Sequence, residues 1–220
     1  MPSDPYIFII YFLYGLAFFS MGLLVAIEGG RAPDSRLKKA LRPLAGFGLL
    51  HGAHEWVEMF EHIDLSLDIT TNSFVTIGKL CILAISFVSL SAFGAFLLAP
   101  TEKSQRYILL VPLGLETIWT FGLLTLSGRI SQDEIWLVAD VWTRYVLAIP
   151  SAILAAAGLI TQQRIFRRAG MVQFGRDALW AAIAFIWYGM IGQLFVKSSP
   201  FALSQVINQE VFQNFFGFPV

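Results

Sequence analysis

Apolar runs of eighteen residues or more recur along this 220-residue chain, and nothing else in it constrains the fold so strongly. A run of that length with few charges is what a helix rising ~1.5 Å per residue needs to cross the roughly 30 Å hydrocarbon core of a bilayer. Six such stretches can be read, at about 6–27, 44–61, 74–98, 107–126, 135–160 and 179–196, with a further tail helix at about 204–220. The expectation is an all-α membrane protein: one polytopic domain over 1–220, with six transmembrane helices plus a C-terminal partial or seventh helix. Composition agrees, since 14% of the residues are charged, where a soluble domain carries about a quarter.

Composition also excludes several functions. A net charge of zero leaves no electrostatic footprint for nucleic acid. Cys81 is the single cysteine and lies inside an apolar run, so a disulfide framework, a CxxC motif or a thiolate metal site is ruled out. Asp4 and no basic segment precede the first apolar run, which argues against a cleavable signal peptide.

The loops set an orientation. Arg31, Arg36, Lys38, Lys39 and Arg42 follow the first run, Lys103 and Arg106 the third, and Arg164, Arg167, Arg168 and Arg176 the fifth. The other connections are acidic or neutral, with Asp64, Asp68, Thr70, Thr71 and Asn72 after the second run and Asp133 and Glu134 against Arg129 after the fourth. The positive-inside rule then places the basic loops in the cytoplasm and the N-terminus outside. The Phe-rich tail ending in Gly217-Phe218-Pro219-Val220 reads either as a short interfacial helix or as the start of a seventh helix belonging to a longer protein.

All three histidines fall in one stretch, Leu44 to His62, LAGFGLLHGAHEWVEMFEH. At about 100° per residue, His51, Glu55, Glu58 and His62 share a stripe roughly 60° wide, with His54 on its shoulder. Ala45, Gly48 and Gly52 form a small flank, including a GxxxG step suited to close helix packing. In the orientation above, this stripe, Lys79, Glu116, Asp140, Arg144 and Gln193 all map to the outer half of the bilayer, together with Trp56, Trp119, Trp136, Trp142 and Trp187. Charges at such depth face a bundle interior or a wet cavity and pair with one another, so one outward-opening polar cavity is expected. His51, His54, Glu55, Glu58, Lys79, Glu116, Trp119, Asp140 and Arg144 are its candidate ligand-binding residues.

Each component also has a plain structural reading. Asp140 and Arg144 stand i, i+4 and can neutralise each other. Glu116 and Lys79 can pair between helices, and the tryptophans can form an interfacial belt. Three chemistries suit the histidine stretch. His51, His54, Glu58 and His62 are candidate ligands for a transition metal ion, although HExxH is absent because Glu58 stands where the second histidine belongs. Haem fits less well, since one helix holds every histidine and a partner such as Met21 or Met190, or a homodimer, would be required. Proton sensing is the third, because histidine beside carboxylates titrates near neutrality. No GxSxG, phosphate loop or inverted repeat argues for catalysis or transport.

YFLYGLAFFSMGLLVAIE, LAGFGLLHGAHEWVEMF and FFGFPV resemble stretches in the N-terminal multi-spanning sensor modules of bacterial sensor histidine kinases and diguanylate cyclases. The resemblance implies a sensory module in the bacterial inner membrane with a periplasmic N-terminus and the His/Glu helix as input. It also implies a cytoplasmic output domain or a partner kinase or cyclase, and no kinase or cyclase activity in these residues themselves. A haem- or metal-binding subunit of a redox complex and a structural membrane subunit stand as the alternatives.

Overall fold

The computed structural model describes residues 5–217 except 33, 68, 70, 71, 100, 102, 103, 105, 106, 132 and 133, and the backbone alone at Pro5 and Tyr6. Asp4, Asp68, Thr70, Thr71, Pro100, Lys103, Arg106, Asp133 and the Phe218-Pro219-Val220 terminus lie outside the described residues. The described residues are mostly helical and contain no strand, only a single bridge between Val196, in the non-helical stretch 193–201, and Asn208. It divides into two compact units, Met1–Ser89 and Leu90–Val220.

The first unit is built on a hairpin of α1 (Pro5–Glu28) and α2 (Ser35–Ser66), joined through a 3-10 turn at Gly29–Arg31. The helices approach until their backbones touch. A Cβ at Gly48 would lie 2.7 Å from the Gly22 Cα, and one at Gly52 would lie 2.7 Å from the Gly15 carbonyl oxygen. Only glycine permits that contact, and the GxxxG step of the sequence is what supplies it. At the far end of the hairpin the Trp56 indole donates to the Phe12 carbonyl over 3.3 Å. The third helix, α3 (Ser73–Leu98), contributes its first part to this unit and the rest to the second.

The second unit contains α4 (Leu110–Ser127), α5 (Ile135–Arg168) and α6 (Val172–Trp187). Two turns are wider than α-helical. Arg144–Ala148 is a π turn within α5, closed by the Ile149 N–H donating to the Arg144 carbonyl, and Tyr188–Gly192 is a π turn ending α6. The first has a local cause in the sequence: Pro150 has no N–H to give to the Val146 carbonyl, and its ring crowds that turn. Gly94 of α3 meets α5 backbone to backbone at Leu154 and Ala155, the second close crossing of this kind. α5 ends in a Schellman cap, with Met171 N–H on the Phe166 carbonyl, Gly170 N–H on Arg167, and Gly170 at φ +78°.

Four helices are long and apolar enough to cross a membrane: Ile7–Arg31, Ser73–Leu98, Leu110–Ser127 and Ile135–Arg168. α2 is not among them, because its carboxylates and histidines interrupt the apolar run, and neither is α6, whose first turns carry Gln173, Arg176 and Asp177. Two expected loops prove to be helix. α2 begins at Ser35, capped by the Asp34 side chain accepting from the Arg36 N–H, so Arg36, Lys38, Lys39 and Arg42 sit on its first turns and Pro43 lies inside it. α5 runs on to Arg168, where Arg167 and Arg168 suit the negative end of the helix dipole. The tail differs as well. In place of one helix there are two short ones, α7 (Ala202–Val206) and α8 (Gln209–Phe216), broken where Asn208 turns extended and caps the next helix by accepting from Val211 N–H. Eight residues reach about 12 Å, too little to cross a bilayer.

Candidate functional site

The histidine stretch folds as the middle of α2, with its glycine flank on α1 and its polar stripe on α3. His51 is 1% exposed. Its ring lies on Phe47, centroids 5.1 Å apart, and meets the edge of Phe18 at 4.7 Å. Nδ1 is 3.3 Å from the Ser86 hydroxyl of α3, and Nε2 is 3.4 Å from Glu55 Oε1 one turn along α2. The Ser86 hydroxyl donates its own hydrogen to the Leu83 carbonyl at 2.7 Å, so an imidazole nitrogen, a hydroxyl and a carboxylate meet at one buried point. His54 is also buried and stacks on His51 at 5.8 Å.

One turn further along, Lys79 of α3 sits between two carboxylates of α2. Its Nζ is 2.8 Å from Glu58 Oε2 and bonds Glu61 Oε2 as well, with all three side chains largely buried. Lys79 therefore finds its counter-charges within the first unit. Past it, His62 stacks on Tyr11 of α1 at 5.1 Å. Among the described residues no three His, Cys, Asp or Glu side chains gather as a metal ion would need, so His51, His54, Glu58 and His62 are not drawn into one coordination sphere. Phe47, Ser86 and Tyr11 take up their neighbourhoods instead.

The remaining candidates belong to the second unit. Arg144 donates through Nε to Asp140 over 2.9 Å and through Nη1 to Gln193 Oε1 over 3.1 Å, tying the π turn of α5 to the end of α6. Trp119 donates to the Thr143 hydroxyl over 2.8 Å, while the Trp142 indole donates to the Trp119 carbonyl over 3.1 Å, so two indoles brace α4 against α5. The Trp142 ring occupies the space where any residue but glycine at 122 would place its Cβ. Glu116 Oε2 is buried with no hydrogen-bond partner among the described residues.

The candidate set omits Ser86, Glu61 and Thr143, and leaves Gln193 among the outer-half polar groups without making it a ligand-binding candidate. For two of them the signal was present in the spacing. Ser86 stands seven residues after Lys79 and so shares its face of α3, and Glu61 stands three after Glu58 on the same face of α2. No family model, curated protein or solved structure matches the chain.

Proposed function

We propose that the chain is a membrane-embedded sensory module of a bacterial signalling protein, with α2 as its input helix. The observation that carries this reading is the buried His51, held between Ser86 and Glu55 and followed along the same helix by Glu58 and Glu61, which hold Lys79 of α3. Titratable groups in such apolar surroundings are expensive and are typically found at functional positions. Here they are also what joins α2 to α3. A proton or small ligand that changes the His51–Glu55 charge state changes that joint, and a displaced α2 carries the change to its Ser35 end.

In this reading the chain crosses the bacterial inner membrane six times, α2 and α6 completing the four long apolar helices, with the N-terminus periplasmic and the basic ends of α2 and α5 in the cytoplasm. The apolar side chains exposed along α1 and α4, Leu24, Leu110, Phe121 and Leu124 among them, suit lipid as the surroundings. An output domain, or a partner kinase or cyclase, would receive the displacement on the cytoplasmic side, with a homodimer as the working unit. A structural membrane subunit is the second reading, favoured by Lys79 already having two carboxylates in reach and needing no ligand. A haem- or metal-binding subunit has less support, because its ligands are not gathered.

The test follows spin labels at the ends of α2 and α3 in a Cys81→Ser background, through about pH 5–8 and with a panel of divalent cations. Sensing requires an inter-helix distance that shifts and stops shifting in His51→Ala or His54→Ala variants that still fold. A fixed distance under every condition, or variants that only fail to fold, would establish the structural reading. The orientation is checked separately with cysteines at Arg36 and Arg168, which impermeant thiol reagents should not reach in intact cells.

A further inference from the structure

The first unit has a cavity at the opposite end of the hairpin from Tyr11 and His62. It is half open and offers about 360 Å³ between the last turn of α1, the Gly29–Gly30 turn and the opening turns of α2. That lies within the roughly 300–1,000 Å³ of small-molecule sites. Val25 and Ala26 give it an apolar wall, and Gly29 and Gly30 bring no side chain to fill it. Lys38 and Arg42 also line it, four residues apart and so on one face of α2.

Like charges at that spacing repel each other, so two cations facing one cavity call for an anion. The nearby acids are engaged elsewhere. Both oxygens of Glu28 are held by Arg31, at 2.8 and 2.9 Å, and Asp34 caps α2 through the Arg36 N–H. Among the described residues no carboxylate pairs with Lys38 or Arg42. A guanidinium fork beside an ammonium suits the oxygens of a phosphate, while the Val25 and Ala26 wall suits the hydrocarbon attached to it.

We propose that this cavity binds the phosphate headgroup of an anionic lipid, with Arg42 and Lys38 on the phosphate and the glycerol end against α1. Basic pockets between helices on the cytoplasmic side accept such headgroups; the lipid source rests on the membrane reading above, whereas the cation pair and its cavity do not. The site is separate from the His51 network and fixes where the hairpin meets the inner leaflet.

The full chain in zwitterionic detergent is offered phosphatidylglycerol or phosphatidylcholine and read by native mass spectrometry. Wild type should prefer phosphatidylglycerol about tenfold, and Lys38→Gln/Arg42→Gln should abolish that preference. The charge-matched control Arg36→Gln/Lys39→Gln, which leaves the cavity cations in place, should retain it. Equal binding of the two lipids, or equal loss in both double variants, would overturn the site. Displacement of the lipid by millimolar inorganic phosphate would assign the cavity to a free anion and overturn the lipid. Alkaline extraction of cell membranes tests the other premise independently: chain released into the supernatant would sink the membrane reading while leaving the phosphate measurement standing.

Discussion

The two units hold polar groups in apolar surroundings by different chemistry. In the first, α2 and α3 are joined through an imidazole, three carboxylates and an ammonium, those of His51, Glu55, Glu58, Glu61 and Lys79. In the second, the cross-links are an arginine that stays charged at any working pH, a glutamine, and two indole donors. The first joint is made of acid–base side chains, the second of an arginine fork and indole hydrogen bonds; in the sensory reading proposed above, the first is the one that responds.

The largest effect tests what both units share. Gly48→Ala and Gly94→Ala each force a methyl group into a neighbouring helix backbone, and each should cost about 3 kcal/mol or more, read from thermal unfolding in detergent. If either is neutral, its crossing is looser than described. Lys79→Met should cost about 3 kcal/mol by stranding Glu58 and Glu61, and adding Glu58→Gln and Glu61→Gln should recover most of it. Failure of that rescue would mean Lys79 acts by packing, not charge. Arg144→Lys, which keeps the charge but loses the fork reaching both Asp140 and Gln193, should cost about 1–2 kcal/mol. Trp119→Phe should cost about 1 kcal/mol, by loss of the bond to Thr143. The sharpest contrast involves the smallest energies: between about pH 5 and 8 the His51→Ala melt should lose whatever pH dependence wild type shows, while that of Arg144→Lys stays parallel to wild type. Parallel behaviour of both would erase the distinction between the units.

The sequence made the helices legible through their apolar runs, because a run of that length has no other way to satisfy its backbone in hydrocarbon. Charge misled the boundaries. Lys38, Lys39 and Arg42 read as a loop beside Pro43, yet a capping Asp34 starts a helix there, and proline near a helix N-terminus is tolerated more easily than in its middle. The same bias shortened α5 at its arginines, where the real stop is Gly170. In the site, the stripe on α2 was readable from periodicity, but its partners were not. Which of Glu55, Glu58 and Glu61 takes Lys79 depends on the register of α3 against α2, and register between helices leaves no trace within either one. Asn208, a residue at home in caps, was the available signal that the tail would break.

The π turn at Arg144–Ala148 has a further consequence for α5. It inserts the equivalent of one residue into the helical screw, so the two halves of α5 run about 100° out of phase. Asp140 and Arg144 on one half address Gln193, while Ala152 and Ala155 on the other press against Gly189 and Gly94. Pro150, which cannot donate to the Val146 carbonyl, sets where that change of phase falls.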